Sequence, residues 1–390
     1  MRRMFRAVAL PILCLVLVQC VQAHTKLPDV KPGHQPALSS DEAGLWMHMD
    51  RMETRLKTSG HLIRDKALND YVRGIVCRLA GPHCRDIRVY LLRIPHFNAT
   101  MAPNGAMQVW SGFLLRARNE AQLATVLGHE IGHFLKRHSL KRWRSARSTT
   151  DGLIFAQIAM GAAGVGQYGN LAGLLAMGGL LAFNRDQERE ADEGGLATMR
   201  GAGYDPRQAA RVWDQLIAET EASENKPRPP LFFSTHPPSK ERSRKLKARA
   251  ESMVRSGPVG ETGRERFRAA MAGHRAAYLG DDLNLREFKR SKALLEMLLE
   301  DGWRGGELHF FLGELHRLRA GEGDDVAALA AYDTALGLTG APPETHRARG
   351  VLLLRKGAHA EANAAFGRYL AARPEAGDAA MVRHLMKGGK

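Results

Sequence analysis

His129-Glu130-Ile131-Gly132-His133 is the feature that most narrows what this chain of 390 residues can fold into. Residues four apart on an α-helix differ by about 40° in direction, so His129 and His133 project from one face and their ring nitrogens can grip one metal ion. The sequence around them reads as such a helix. Asn119 is a good N-cap, and Leu123, Val126, Leu127, Ile131 and Phe134 make the apolar face of a helix from Glu120 to about His138. On a helix this apolar an unpartnered carboxylate would be costly, which argues against reading the motif as ordinary solvent-facing residues. Imidazole pairs suit Zn²⁺, and a catalytic zinc takes three protein ligands plus a water. Glu130, beside the pair, is then the candidate general base.

A third ligand must come from elsewhere. The best local candidate is Glu188 in Glu188-Arg189-Glu190-Ala191-Asp192, because Glu188 and Asp192 are again one helical turn apart. Asp192 is suited to accept the free N–H of a ligating histidine and set its orientation. Glu190 falls on another face and is the weaker choice. A third histidine six positions after the second is excluded, since that position is Ser139; His138 is one residue short and is expected to point to the surface.

Around the motif the pattern is mixed. Asp41 to Leu79 carries apolar residues at helical spacing and reads as two helices, followed by strands over 87–92 and 107–110 with turn-rich sequence around Asn98-Ala99-Thr100 and Pro103-Asn104-Gly105. The stretch 152–184 has no charged residue but eight glycines, which fits a helical hairpin buried in protein or pressed on a membrane surface better than a span. Helices are expected over 186–222, broken at 201–206, and again up to Arg255. Ser256-Gly257-Pro258-Val259-Gly260 marks a domain boundary.

Beyond it, Ala330-Ala331-Tyr332 recurs as Ala364-Ala365-Phe366, a shift of 34 residues, with Gly313 and Gly350 upstream. This resembles tetratricopeptide repeats, with Phe288 to Leu299 as a degenerate earlier helix. Two copies are weakly stable alone, so packing on the preceding domain is expected to help.

The N-terminus combines Arg2, Arg3 and Arg6 with an apolar run from Ala7 to Val18 and then Val21-Gln22-Ala23, the pattern of a signal peptide cleaved after Ala23. The alternative is lipoprotein processing at Cys20, where Gln19 is a poor fit. Residues 24–40, with three prolines, read as a flexible leader. Cleavage leaves Cys77 and Cys84, which in an oxidising compartment read as a short-loop disulfide, with two buried thiols as the plain alternative. The net charge of +16 is spread along the chain, and no zinc-finger, helix-turn-helix or RNP pattern accompanies it, so nucleic acid is not an expected partner.

Leu127 to His133, Arg137-His138, the Glu188–Asp192 element, Gly201-Ala202-Gly203-Tyr204-Asp205-Pro206 and Ser234-Thr235-His236-Pro237-Pro238-Ser239 with Arg242 together resemble the HtpX and CAAX-endopeptidase family of gluzincins. With the export signal and the C-terminal repeats the chain is similar to the periplasmic BepA branch of that family. The resemblance covers about residues 40–250. It implies one Zn²⁺ per chain on His129, His133 and Glu188, with Glu130 as base. It also implies that His236, otherwise only a loop histidine, approaches the metal or substrate as a gate or oxyanion-side group, and that Arg242 helps order the site. The strand 107–110 would be the edge that pairs with substrate backbone.

The expected architecture is α+β and mainly helical: a zincin-type metalloprotease domain over 41–256, then an all-α repeat domain over 257–390. The resemblance implies unfolded or misassembled envelope proteins as substrates and contact with outer-membrane protein assembly machinery, while the composition of 152–184 itself suggests peripheral membrane contact there. A rival expectation is a chaperone-like assembly factor with a mostly gated zinc site.

Overall fold

The computed structural model describes residues 27–147, 183–223, 231–236 and 240–388. The signal segment, Cys20 and all but the last two residues of the stretch 152–184 lie outside these.

The N-terminal half is built where caps start helices. Ser40 accepts from Ala43 N at the head of α1 (Asp41–Lys57), and Asp65 accepts from Leu68 N at the head of α2 (Lys66–Ala80). Cys77 and Cys84 are disulfide-bonded across the end of α2. Three strands follow, β1 (Arg88–Leu92), β2 (Ala99–Met101) and β3 (Ala106–Trp110). The sheet order is β1-β3-β2, with β3 parallel to β1 and antiparallel to β2.

This corrects one expectation: β3, containing 107–110, is the central strand and is paired on both sides. The edge is β2, in the segment read as a turn. Its connection to β3 turns at Gly105, whose φ of +89° and close contact with Asp86 O leave no room for a side chain. The other edge is covered, since Ile63 N donates to Leu91 O and Arg93 N to His61 O.

A short α3 (Ser111–Arg116) leads to α4 (Glu120–Leu135), capped by Asn119, whose side chain accepts from Gln122 N. Helix α5 (His138–Arg147) follows after one break. Residues 27–40 are not a loose leader: Val30 is buried, its N–H donates to Leu135 O, and Asp29 pairs with Lys136. Helix α6 (Arg185–Gly201) opens with a capping box between Asn184 and Gln187, and α7 (Gln208–Glu221), α8 (Leu231–Thr235) and α9 (Lys240–Arg255) complete the layer around α4.

The core does not stop at residue 256. One apolar cluster runs from Val30 to Leu315, taking in α10 (Arg264–Met271), α11 (Arg275–Leu283), α12 (Phe288–Leu299) and α13 (Gly305–Arg319). A buried ionic junction crosses the same boundary. Arg116 of α3 donates to Glu219 at 2.6 Å and to Asp282 at 2.6 Å, while Arg290 reaches Glu219 at 2.9 Å and Ser291 donates to Asp282 at 2.7 Å. The last helices are successive hairpins: α13 with α14 (Asp324–Leu336), then α15 (Glu344–Arg355) with α16 (His359–Ala372), closed by α17 (Ala379–Gly388).

The recurring residues have one packing role. Gly313 takes the ring of Tyr332 and Gly350 the ring of Phe366; a Cβ on either glycine would lie 2.3 Å or 2.7 Å from the ring. Among the described residues no helix is long and apolar enough to cross a membrane.

Candidate metal centre

The site is set by how closely two helices approach. Gly128 and Gly132 on α4 face Ala191 and Gly195 on α6, and a Cβ on Gly195 would lie 3.0 Å from His129 N. With no side chains between them, the backbones come near enough for Glu188 to reach His129 and His133.

Four side chains offer ligand atoms within 4.8 Å of one another, all buried: His129, His133, Glu188 and His236. His129 Nε2 is 3.0 Å from His133 Nε2 and 3.2 Å from His236 Nδ1. Glu188 Oε1 is 2.9 Å from His236 Nδ1 and 3.4 Å from His133 Nε2, and Oε2 is 3.6 Å from His129 Nε2. Ligands at about 2.0 Å from a tetrahedral zinc stand about 3.3 Å apart, and these five separations lie close to that spacing.

Proton placement supports the fit. Asp192 Oδ1 lies 2.9 Å from His129 Nδ1, and His133 Nδ1 lies 2.8 Å from His138 Nδ1. Each ring's outer nitrogen thus has a partner outside the cluster, leaving the two Nε2 atoms facing each other. Lone pairs meeting at 3.0 Å repel unless a cation lies between them. Three imidazoles and a carboxylate are a donor set that zinc takes.

The carboxylates around the rings are held ionised. Burial pushes Glu188 up, but the charge of His236 and hydrogen bonds from His133 and His236 hold it far below the usual carboxylate range. Arg242 bridges the shell, reaching Glu188 Oε2 at 2.7 Å and clamping Asp192 at 2.9 and 2.8 Å, with its guanidinium 4.8 Å over the Trp213 ring. Burial opposes ionisation of Asp192 as well, and hydrogen bonds from His129 and Arg242 overcome it. Burial keeps His133 well below the ordinary histidine value. His129 is also pushed down by burial, but its bond to Asp192 and the charge of Glu188 leave it raised.

Glu130 is buried and turned the other way along α4. Burial raises its carboxyl above the ordinary value, and it is hydrogen-bonded to the backbone of Met101 in edge strand β2. Its Oε1 is 3.2 Å from His236 Nε2. His236 therefore spans from the ligand cluster to Glu130, held by stacking on Phe232 at 4.5 Å between ring centroids.

All seven residues singled out in the sequence, His129, Glu130, His133, Glu188, Asp192, His236 and Arg242, meet in this one buried cluster. Three neighbours were not foreseen. His138 is fully buried against His133 instead of facing solvent, because the chain reverses at Arg137. Phe183 stacks on the His133 ring at 3.8 Å and 16°; its place just before the Asn184 cap, where an apolar residue often packs onto the helix, was the available signal. Trp213 had none.

Residues 63–250 match peptidase family M48. The mitochondrial metalloendopeptidase OMA1 of Schizosaccharomyces pombe is 36% identical over 160 residues, covering 40% of this chain and 45% of that protein. A putative beta-barrel assembly-enhancing protease of Vibrio cholerae is 26% identical over 321 residues, 77% of this chain and 64% of that one. The beta-barrel assembly-enhancing protease of Escherichia coli K12 is 29% identical over 240 residues, 58% and 47%. The chain thus spans between 45% and 64% of the length of these relatives. A buried histidine–carboxylate cluster on a His-Glu-x-x-His helix, within the matched segment, makes residues 63–250 a metalloprotease domain of peptidase family M48.

Proposed function

We propose that this chain is a zinc-dependent endopeptidase, exported to the periplasm, that cleaves unfolded or misassembled envelope proteins during outer-membrane protein assembly. The observation that carries the reading is the juxtaposition of the His129, His133 and Glu188 donors with Glu130 of α4, whose carboxyl group is hydrogen-bonded to the Met101 backbone in edge strand β2. Two relatives are named for β-barrel assembly, which supports the pathway, and the signal-like N-terminus supports the location.

A bound zinc would supply an acidified water and polarise the scissile carbonyl. The protein's own groups do the rest. His129, His133 and Glu188 hold the ion; Asp192 keeps the hydrogen of His129 on Nδ1, and Arg242 fixes both carboxylates. Strand β2, paired only with β3 among the described strands, is the sheet edge nearest Glu130 and the one where an extended substrate would add. Glu130, lifted by burial and adjacent to that strand, accepts the proton at its carboxylate and returns it to the leaving amine.

His236 qualifies this picture. Its Nδ1 takes the fourth corner of the donor set and its Nε2 meets Glu130, so this conformation is closed and the ring must withdraw for water and substrate to enter. That closure favours, as a second reading, an assembly factor whose zinc site is mostly gated, with the C-terminal hairpins as the binding surface.

One experiment separates them: zinc content and cleavage of an unfolded outer-membrane protein by wild type, His236→Ala and Glu130→Gln. The endopeptidase reading expects one zinc per chain in all three, faster cleavage by His236→Ala, and a loss of about 10²–10⁴-fold for Glu130→Gln. No cleavage by wild type or His236→Ala, with zinc bound, would refute it in favour of the assembly factor.

A further inference from the structure

His138 has no part in the proposed chemistry, yet it is fully buried with its ring against that of His133. On an unbroken helix a residue five after His133 would point about 140° away from it. Here α4 ends at Leu135 and Arg137 takes a left-handed conformation, φ +54°, uncommon for a residue other than glycine. The reversal makes His138 the first residue of α5 and folds its ring back onto His133. An ion pair from the Arg137 side chain to the buried Glu42 of α1 pins the turn.

The hydrogen bonds then read in one direction. His138 Nε2 lies 3.1 Å from Glu190 Oε2, and a carboxylate only accepts, so Nε2 carries the hydrogen. The neutral ring is left with its lone pair on Nδ1, which faces His133 Nδ1 at 2.8 Å. His133 Nδ1 must therefore donate, and its own lone pair falls on Nε2, the atom directed at His129 and Glu188.

We infer that His138 is a positioning residue for the metal centre: oriented by Glu190, it fixes His133 in the Nδ1–H tautomer and aims its Nε2 at the ion. This rests on the zinc reading above. The use of an imidazole where His129 has Asp192 follows from charge. Glu130, Glu188 and Asp192 already bring three carboxyl groups into one buried pocket, and a fourth directly on His133 would add to their repulsion. A neutral ring relays the orientation from Glu190, which is about one-third exposed, with a side-chain accessibility of 35%.

The test is zinc affinity of the metal-stripped full chain, by competition with a chromophoric chelator, together with the visible spectrum of the cobalt-substituted protein. His138→Ala should weaken zinc binding about 10–100-fold and alter the cobalt bands. His138→Asn, whose Oδ1 can replace the Nδ1 acceptor, should retain most of the affinity. Glu190→Ala, at a partly exposed position, should give an intermediate loss even should His138→Ala fail to fold. Wild-type affinity with an unchanged cobalt spectrum in folded His138→Ala, no loss in Glu190→Ala, or equal losses in the Asn and Ala variants would overturn the inference while leaving the zinc reading intact. A wild-type protein that holds no zinc would overturn both.

Discussion

Gly195→Ala tests whether the approach of α6 to α4 sets the geometry of the donor cluster. A methyl carbon there would lie 3.0 Å from His129 N, 3.2 Å from His129 Cα and 3.2 Å from Gly128 C, where ordinary contact begins near 3.4 Å. These are backbone atoms of a packed helix and cannot rotate aside, so the helices must part by a few tenths of an ångström. Alanine in place of glycine in a helix gains about 1 kcal/mol. Overpacking costs about 1–3 kcal/mol, which leaves a net loss of about 0–2 kcal/mol. Gly74→Ala is the matched control, exposed in the middle of α2 with nothing within 4 Å of the new methyl, and should stabilise by about 1 kcal/mol. Denaturant unfolding of the metal-free proteins reads the difference, and chelator competition reads its consequence. Because the residue struck is His129, Gly195→Ala should also bind zinc more weakly, whereas Gly74→Ala should not. Equal stabilisation by the two substitutions, with zinc affinity unchanged, would show that the close approach does not set the site.

Two further outcomes follow from buried charge. Glu219→Ala removes the carboxylate that Arg116 and Arg290 share in the junction between the protease layer and the C-terminal helices, leaving Arg116 only Asp282 and Arg290 only the more exposed Glu287, and should cost about 3 kcal/mol in denaturant unfolding. Burial alone would raise Glu53, but hydrogen bonds from Arg88 and Tyr90 pull it down to about 2. A carboxyl depressed on folding stabilises above its unfolded value, so this contribution is present above about pH 4.5 and is lost as pH falls toward 2. Its size is at most about 3 kcal/mol, and Glu53→Gln should flatten that part of the stability–pH curve; an unchanged curve would contradict the assignment.

Much of the site was legible because its chemistry is local. His129, Glu130 and His133 lie within five residues of one helix, and Glu188 and Asp192 within five of another, so helical periodicity alone states which of them share a face. The cap at Asn119 starts its helix as its side chain dictates. The repeat glycines were visible as a pattern, and the rings of Tyr332 and Phe366 supply its cause.

What escaped lies where local pattern is silent. Strand β2 is three residues long and wholly buried, too short to show alternation, so the edge of the sheet was assigned to the wrong strand. His138 was misplaced because an arginine, not a glycine, takes the left-handed turn before it, held by a partner on α1 far back in the chain.

The sequence by itself determined the donor types and the pairing of two histidines, since the angle between residues four apart is a property of the helix. Only the tertiary structure decided that Glu188 and His236 complete the set. His236 lies 107 residues beyond His129, and no periodicity carries a direction that far. The approach is set instead by backbone contact, where Gly128, Gly132 and Gly195 leave out the side chains that would hold α4 and α6 apart.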